Sequence, residues 1–132
     1  MIYKTVNNFE EFSKLENNWN KIFISDNKSK YFNSFRYCRT WVKETFDLSN
    51  KIFVIIALHN KNIVGIAPLQ IYTEKKIISK KRTLQFICKG DYQDFLVLND
   101  EHLNKEKILS TLFDGIYENK ILWDQIYFPL IA

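Results

Sequence analysis

Phe9, Phe12, Leu15, Trp19, Ile22 and Phe23 recur at three- and four-residue steps. That spacing lines one face and predicts an amphipathic helix over residues 9–23. Ahead of it, Ile2 to Val6 alternates and is rich in β-branched residues, which predicts a first strand. Asn7 or Asn8 can cap the helix, and Glu10 and Glu11 in its first turn suit the helix dipole. A second helix is expected from Asn33 or Ser34 to about Phe46, with Phe35, Cys38, Trp41, Val42 and Thr45 facing inward.

The pattern then changes to continuous apolar runs. Lys51 to Leu58 reads as a central strand covered on both faces. His59 to Asn62 makes a hairpin turn, and Ile63 to Tyr72 returns as a second long strand. Pro68 lies inside that strand; having no N–H to donate, it should mark a bulge or the point where pairing stops. Residues 82–88 and 94–98 predict further strands. Asn104 caps a third helix ending near Asn119, with Ile108, Leu109, Leu112, Phe113, Ile116 and Tyr117 as its buried stripe. Leu122 to Ile131 is the last predicted strand.

The order β–α–α–β–β–β(–β)–α–β predicts an α/β or α+β domain, a mixed and mainly antiparallel sheet flanked by helices. Its 132 residues suit one domain. The chain stops in or just after a hydrophobic strand, at Phe-Pro-Leu-Ile-Ala, which left bare would be an unprotected edge. A partner chain or a continuation beyond Ala132 is expected to cover it, continuation being favoured. Pairing across a homodimer is another way to cover it.

Composition narrows the classes. Only 3 Gly and 2 Pro rule out collagen-like and low-complexity readings, and 46% apolar residues argue against disorder. No apolar run reaches the roughly 18 residues of a membrane-spanning helix, and the N-terminus lacks a signal-peptide layout. A cytoplasmic protein with no membrane span is expected. Net charge is +4, carried by residues 1–66 (ten Lys/Arg against six Asp/Glu), while residues 67–132 hold nine of each. Sixteen Lys against three Arg reads as AT-rich codon bias rather than as a functional signal.

Candidate chemistry is sparse. Asp91, Tyr92 and Asp94 cluster between Gly90 and a strand; two carboxylates three residues apart could act as base and orienter, with Tyr92 as proton donor. In the structural alternative, Asp91 caps a turn and Asp94 opens the strand. His59 and His102 stand far apart, and Cys38 and Cys88 form no CxxC pair, so no metal site is expected. Both cysteines fall among apolar residues and read as buried, inert thiols, too few to staple a fold. No phosphate-binding glycine motif occurs; Gly65 reads as a close-packing position. Lys75, Lys76, Lys80, Lys81 and Arg82 form the one charge cluster, at a hairpin tip. The alternative function is therefore a non-catalytic module binding an anionic polymer through residues 75–82. Nucleic acid is not the expected partner, because only Tyr72 and Phe86 flank the basic residues.

Three segments in order carry a resemblance: Phe32-Asn-Ser-Phe-Arg-Tyr-Cys-Arg-Thr-Trp41, Ile63-Val-Gly-Ile-Ala-Pro-Leu69 and Gly90-Asp-Tyr-Gln-Asp-Phe-Leu96. Together they resemble the N-terminal half of the CelD/BcsL-like acyltransferases of the GNAT (GCN5-related N-acetyltransferase) superfamily, related to the FemAB-type transferases. Tyr37 stands where the family's helix carries its first Trp; Trp41 fits the second. The resemblance implies a single GNAT-like N-terminal domain over residues 1–132, part of a longer tandem protein. Acyl-CoA, such as acetyl-CoA, would be bound in the complete enzyme by the C-terminal GNAT-like half. The acyl group would pass to an amine or hydroxyl, on a small molecule or glycan such as an envelope polysaccharide or sugar precursor. Asp91, Tyr92 and Asp94 would be its catalytic contribution, with Trp41 and Pro68 on the substrate side. A GNAT cradles the donor pyrophosphate on backbone amides of a glycine-bearing turn at a helix start. The matching stretch, Asn99 to Lys105, has no glycine and presents Asp100 and Glu101, so this chain alone is expected to bind no acyl-CoA.

Overall fold

The computed structural model describes residues 1–26, 34–45, 50–75, 78–88 and 94–128. Strand β1 (Ile2–Val6) leads into α1 (Phe9–Ser13), α2 (Glu16–Ser25) and α3 (Phe35–Thr45). Then come β2 (Asn50–Ile52), β3 (Val54–His59), β4 (Asn62–Ala67), β5 (Leu69–Lys75), β6 (Lys80–Phe86) and β7 (Leu96–Val97). Helix α4 (Lys105–Glu118), a 3-10 turn (Lys120–Leu122) and β8 (Gln125–Tyr127) complete the described chain.

Both predicted caps form. Asn8 Oδ1 accepts the Glu11 amide at 2.8 Å, and Asn104 Oδ1 accepts the Lys107 amide at 3.2 Å. The single helix expected over residues 9–23 is instead two. A tight bond from the Leu15 amide to the Phe12 carbonyl (3.0 Å) interrupts the ladder, and Trp19 to Leu15 (2.8 Å) resumes it. The break is hidden from the spacing because Phe12, Leu15, Trp19 and Ile22 still face one core.

Instead of one sheet there are two, ordered β1-β3-β4-β7 and β2-β5-β6-β8. A single hairpin serves both. Its outgoing arm is β2 and β3, parted at Phe53; its returning arm is β4 and β5, parted at Pro68. Across the junction the Phe53 amide donates to the Leu69 carbonyl at 3.0 Å, and the Pro68 carbonyl accepts the Ile87 amide at 2.9 Å. Proline thus ends pairing within a continuous strand, as expected. At the hairpin tip Asn60 and Lys61 have φ of 50° and 67°, the left-handed pair of a two-residue hairpin turn.

The core has two sides. Val54 and Ile56 point to α1–α3, where Phe12, Trp19, Ile22, Phe35 and Val42 are buried; Ile55 and Ala57 point to Ile108, Leu112 and Ile116 of α4. Strand β3 is therefore covered on both faces. The α4 stripe is turned relative to what the spacing suggests: Thr111 and Gly115 are buried, whereas Tyr117 is 55% exposed. Of the two tryptophans placed on inward faces only Trp19 is fully buried; Trp41 is half-buried, as is Trp123.

The last strand is shorter than Leu122 to Ile131. Asn119 Nδ2 donates to the Gly115 carbonyl at 2.7 Å and Trp123 Nε1 to that of Ile116 at 3.0 Å. These bonds satisfy open carbonyls at the α4 C-terminus, so residues 119–123 are used as a cap rather than as strand. Residues 129–132 lie outside the described residues.

Cys38, on α3, and Cys88, just past β6, are both buried, with their sulfurs 2.7 Å apart. Burial matches the expectation; the adjacency does not follow from positions 50 residues apart.

Arg82 clips β8 alongside β6. Its backbone amide donates to Asp124 Oδ2 at 2.7 Å, its Nη2 donates to Oδ1 at 3.0 Å, and the Asp124 amide returns a bond to the Arg82 carbonyl at 2.8 Å. The hydrogen bonds from Arg82 hold the Asp124 carboxyl below its ordinary value of 3.8. A depressed carboxyl contributes stability that is complete above the unfolded value and is lost as pH falls through the folded one. Melting temperature should therefore fall more steeply in the wild type than in Asp124→Asn between about pH 5 and about pH 2. Parallel acid limbs in the two proteins would show that the clip contributes nothing.

Candidate functional site

Strands β6 and β8 pair in parallel, Thr83 with Gln125, Leu84 with Ile126 and Gln85 with Tyr127. Between them the chain leaves the second sheet, adds β7 to β4 in the first sheet, and crosses over through α4. In open α/β sheets, ligands bind beyond the carboxyl ends of parallel strands, where neighbouring connections diverge. Here that point lies beyond Phe86 and Tyr127, where β7 and β8 belong to different sheets. Its floor is aromatic. Phe128 packs on Phe86 and Phe95 at centroid distances of 5.1 and 5.7 Å, and Phe95 on Phe113 at 5.2 Å.

Asp94 stands at the edge of this floor, half-buried, immediately before Phe95. Its Oδ1 accepts the Phe95 amide at 2.7 Å. Burial raises its carboxyl above the ordinary value and Asp26 raises it further, while the Phe95 hydrogen bond and Lys105 act the other way. A carboxyl raised by burial beside an aromatic floor is suited to taking or giving a proton. Asp91 and Tyr92, the other two members of the predicted cluster, lie outside the described residues.

Trp41 and Pro68 come from other parts of the fold. Trp41 is half-buried on α3 and meets Tyr37 edge-on at 6.5 Å. Pro68 is buried at the junction of the two sheets. Sequence spacing had no means of finding Asp26, whose charge acts on Asp94 from the end of α2, or Phe113 and Phe128, which join the floor from different elements.

The stretch leading into α4 is closed on itself. The Asn99 amide donates to Ser25 Oγ at 3.1 Å, that of His102 to Asp100 Oδ1 at 2.9 Å, and that of Leu103 to the Asp100 carbonyl at 3.0 Å. Asn104 takes the Lys107 amide. An anion cradle needs such amides pointing outward and unused. Here Asp100 and Asn104 supply the oxygens themselves, and Asp100 brings its own negative charge. These bonds take up the His102, Leu103 and Lys107 amides, three of those that a donor pyrophosphate could otherwise meet.

The basic hairpin is partly neutralised. Arg82 is engaged by Asp124, Lys81 faces Glu74 across the strands, and Lys75 faces Lys80. Lys76 lies outside the described residues. His59, at the other hairpin, is exposed. Among the described residues no three metal-ligating side chains come together, and no helix is long and apolar enough to cross a membrane.

No family model matches the chain, and no curated protein matches it in sequence. Solved structures do. An aminoglycoside acetyltransferase from an uncultured soil metagenomic sample superposes with a TM-score of 0.57 at 16% identity, over 97% of this chain and 79% of that one. A probable acetyltransferase superposes with a TM-score of 0.53 at 11% identity, over 97% and 78%. The ribosomal-protein-alanine N-acetyltransferase of Brucella melitensis biovar Abortus 2308 gives 0.52 at 9% identity, over 97% and 78%. The mixed two-sheet architecture flanked by helices is the fold shared with these acetyltransferases.

Proposed function

We propose that this chain is the acceptor side of a GNAT-type acyltransferase that moves an acyl group onto an amine or hydroxyl. The acceptor is a small polar molecule or glycan, such as an amino sugar or an envelope polysaccharide precursor. The donor is held by a C-terminal GNAT-like half or by a second chain, and the domain over residues 1–132 is the N-terminal part of that tandem. One observation carries this reading: an acetyltransferase fold in which Asp100 and Asn104 take up the His102 and Lys107 amides at the approach to α4 and put a carboxylate there. That the first of the similar structures is an aminoglycoside acetyltransferase supports a polar acceptor of sugar type.

The chemistry asked of this chain is proton handling. The attacking amine or hydroxyl must lose a proton as its new bond forms, and a carboxylate within reach can take it. Asp94 is assigned that role, with Asp91 orienting and Tyr92 giving a proton to the leaving group. Trp41 and Pro68 belong to the substrate-side contribution of the same segments.

Calorimetric titration of the chain with acetyl-CoA should show no binding up to about 1 mM. Saturable binding at tens of micromolar would overturn the division into acceptor and donor sides. Asp94→Asn keeps the oxygen that accepts the Phe95 amide and removes the charge. Because burial raises the folded carboxyl, the ionised form weakens the fold as pH rises above 3.8. The substitution should therefore leave the melting temperature at pH 7 unchanged or higher, while abolishing transfer when the donor half is present. Equal loss of stability and activity would mean that Asp94 serves only to open the strand.

A further inference from the structure

The two cysteines come from distant parts of the chain and meet inside the first core cluster. Cys38 is fully buried on the inner face of α3, and Cys88 is 3% exposed just beyond β6. The Cys88 S–H donates to Cys38 Sγ at 2.7 Å, against about 2.0 Å for a disulfide bond. Trp19, Ile22, Phe35 and Ile87 belong to the same buried cluster. A free thiol buried alone is inert packing; two whose sulfurs are already in contact have a partner within reach.

We propose that Cys38 and Cys88 are a reversible disulfide pair, a dithiol under reducing conditions and a cross-link between α3 and the end of β6 under oxidising ones. The oxidant is a small peroxide. The Cys38 sulfur, as thiolate, attacks one peroxide oxygen; the O–O bond breaks, the leaving oxygen takes up a proton to become water, and Cys38 becomes a sulfenic acid. The Cys88 sulfur then attacks the Cys38 sulfur; the S–O bond breaks, the Cys88 proton goes to the departing hydroxide, and a second water leaves. Two electrons pass from the sulfurs to the peroxide. The same two steps balance with the roles of the two sulfurs exchanged. Burial raises the Cys88 thiol, and the contact with Cys38 raises it further. Reaction therefore waits on local opening and is slow in the native state.

The cross-link has a mechanical consequence. Cys88 is the last described residue after β6, so closing the pair fastens that end of the strand to α3. The closed loop of about 50 residues is long enough for a large effect on the unfolded chain.

The test is to treat the purified protein with hydrogen peroxide, then to titrate thiols under denaturing conditions and measure intact mass and melting temperature. The proposal expects both thiols to disappear together, the mass to fall by two hydrogens, and a peptide pair joined at Cys38 and Cys88. Melting temperature should rise by about 5–10 °C and return on reduction. Persistence of two free thiols, addition of oxygen without cross-linking, or disulfide-linked dimers would each overturn it. These readouts use the wild-type protein, so they do not depend on whether Cys38→Ala or Cys88→Ala folds, nor on any acyltransferase activity.

Discussion

Replacing Trp19 by alanine is expected to remove about 3–5 kcal/mol of stability. That is a large share of the roughly 5–15 kcal/mol available to a domain. The indole is completely buried and meets Phe12 edge-on at 5.7 Å and Phe35 edge-on at 5.5 Å, while those two rings stack at 5.1 Å. Trp19 is thus the ring through which α2 touches both α1 and α3. Its removal leaves a cavity bordered by rigid rings, which cannot collapse into it as flexible aliphatic chains would. Urea denaturation should show a lower midpoint with little change in slope. Trp19→Phe, which retains a ring, should lose markedly less. A loss below about 1 kcal/mol for the alanine variant would mean that this aromatic cluster is not packed as described.

Gly65→Ala should be the next most damaging substitution, costing about 1–3 kcal/mol. A Cβ at this position in β4 would meet Ile108 Cγ2 at 2.5 Å, Leu112 Cδ1 at 3.3 Å and Ala57 Cβ at 3.4 Å. The first of these atoms hangs directly on the branched carbon of a buried helix residue, so it cannot swing aside. Relief requires α4 to lift from the sheet. Gly115→Ala meets a comparable obstacle in Ile55 Cγ2 at 2.7 Å, but a helical alanine recovers about 1 kcal/mol of propensity, so its net effect is smaller. Combining Gly65→Ala with Ile108→Ala removes the offending methyl, and the pair should cost less than the sum of the two single changes. Strict additivity would locate the damage elsewhere.

The contrast between these two sites marks what a linear reading can reach. Trp19 was placed on the inner face of a helix by three- and four-residue spacing, and Gly65 was read as a packing position because nothing around it resembled a phosphate loop. Local signals of that kind also located the caps at Asn8 and Asn104 and the hairpin at residues 59–62. Pro68 announced an end to pairing, but not that the opposite arm breaks at Phe53 and sends its two parts into different sheets. That partition depends on which strands pair with each arm, and pairing is a non-local property. The α1–α2 break escaped for the opposite reason: it is local, but it leaves the buried face in phase. At the candidate site the acidic segment stood out from its residue types alone. What raises the Asp94 carboxyl did not, since it comes from burial in the folded chain and from Asp26, distant in sequence. The closed amides before α4 were legible as an absence of glycine and a surplus of carboxylates, and the structure supplies the bonds that use those amides.

The hairpin shared by the two sheets has a consequence for how the molecule opens. A sheet that ends at its own strands can be peeled away while its neighbour stays intact. Here the ladder of the first sheet runs into that of the second along uninterrupted backbone, through the Phe53 amide and the Pro68 carbonyl. Among the described residues the two sheets therefore share backbone where they meet. The Phe53 and Ile87 amides at the junction are therefore expected to exchange with solvent in step with the paired amides of β3 and β5, as one cooperative unit.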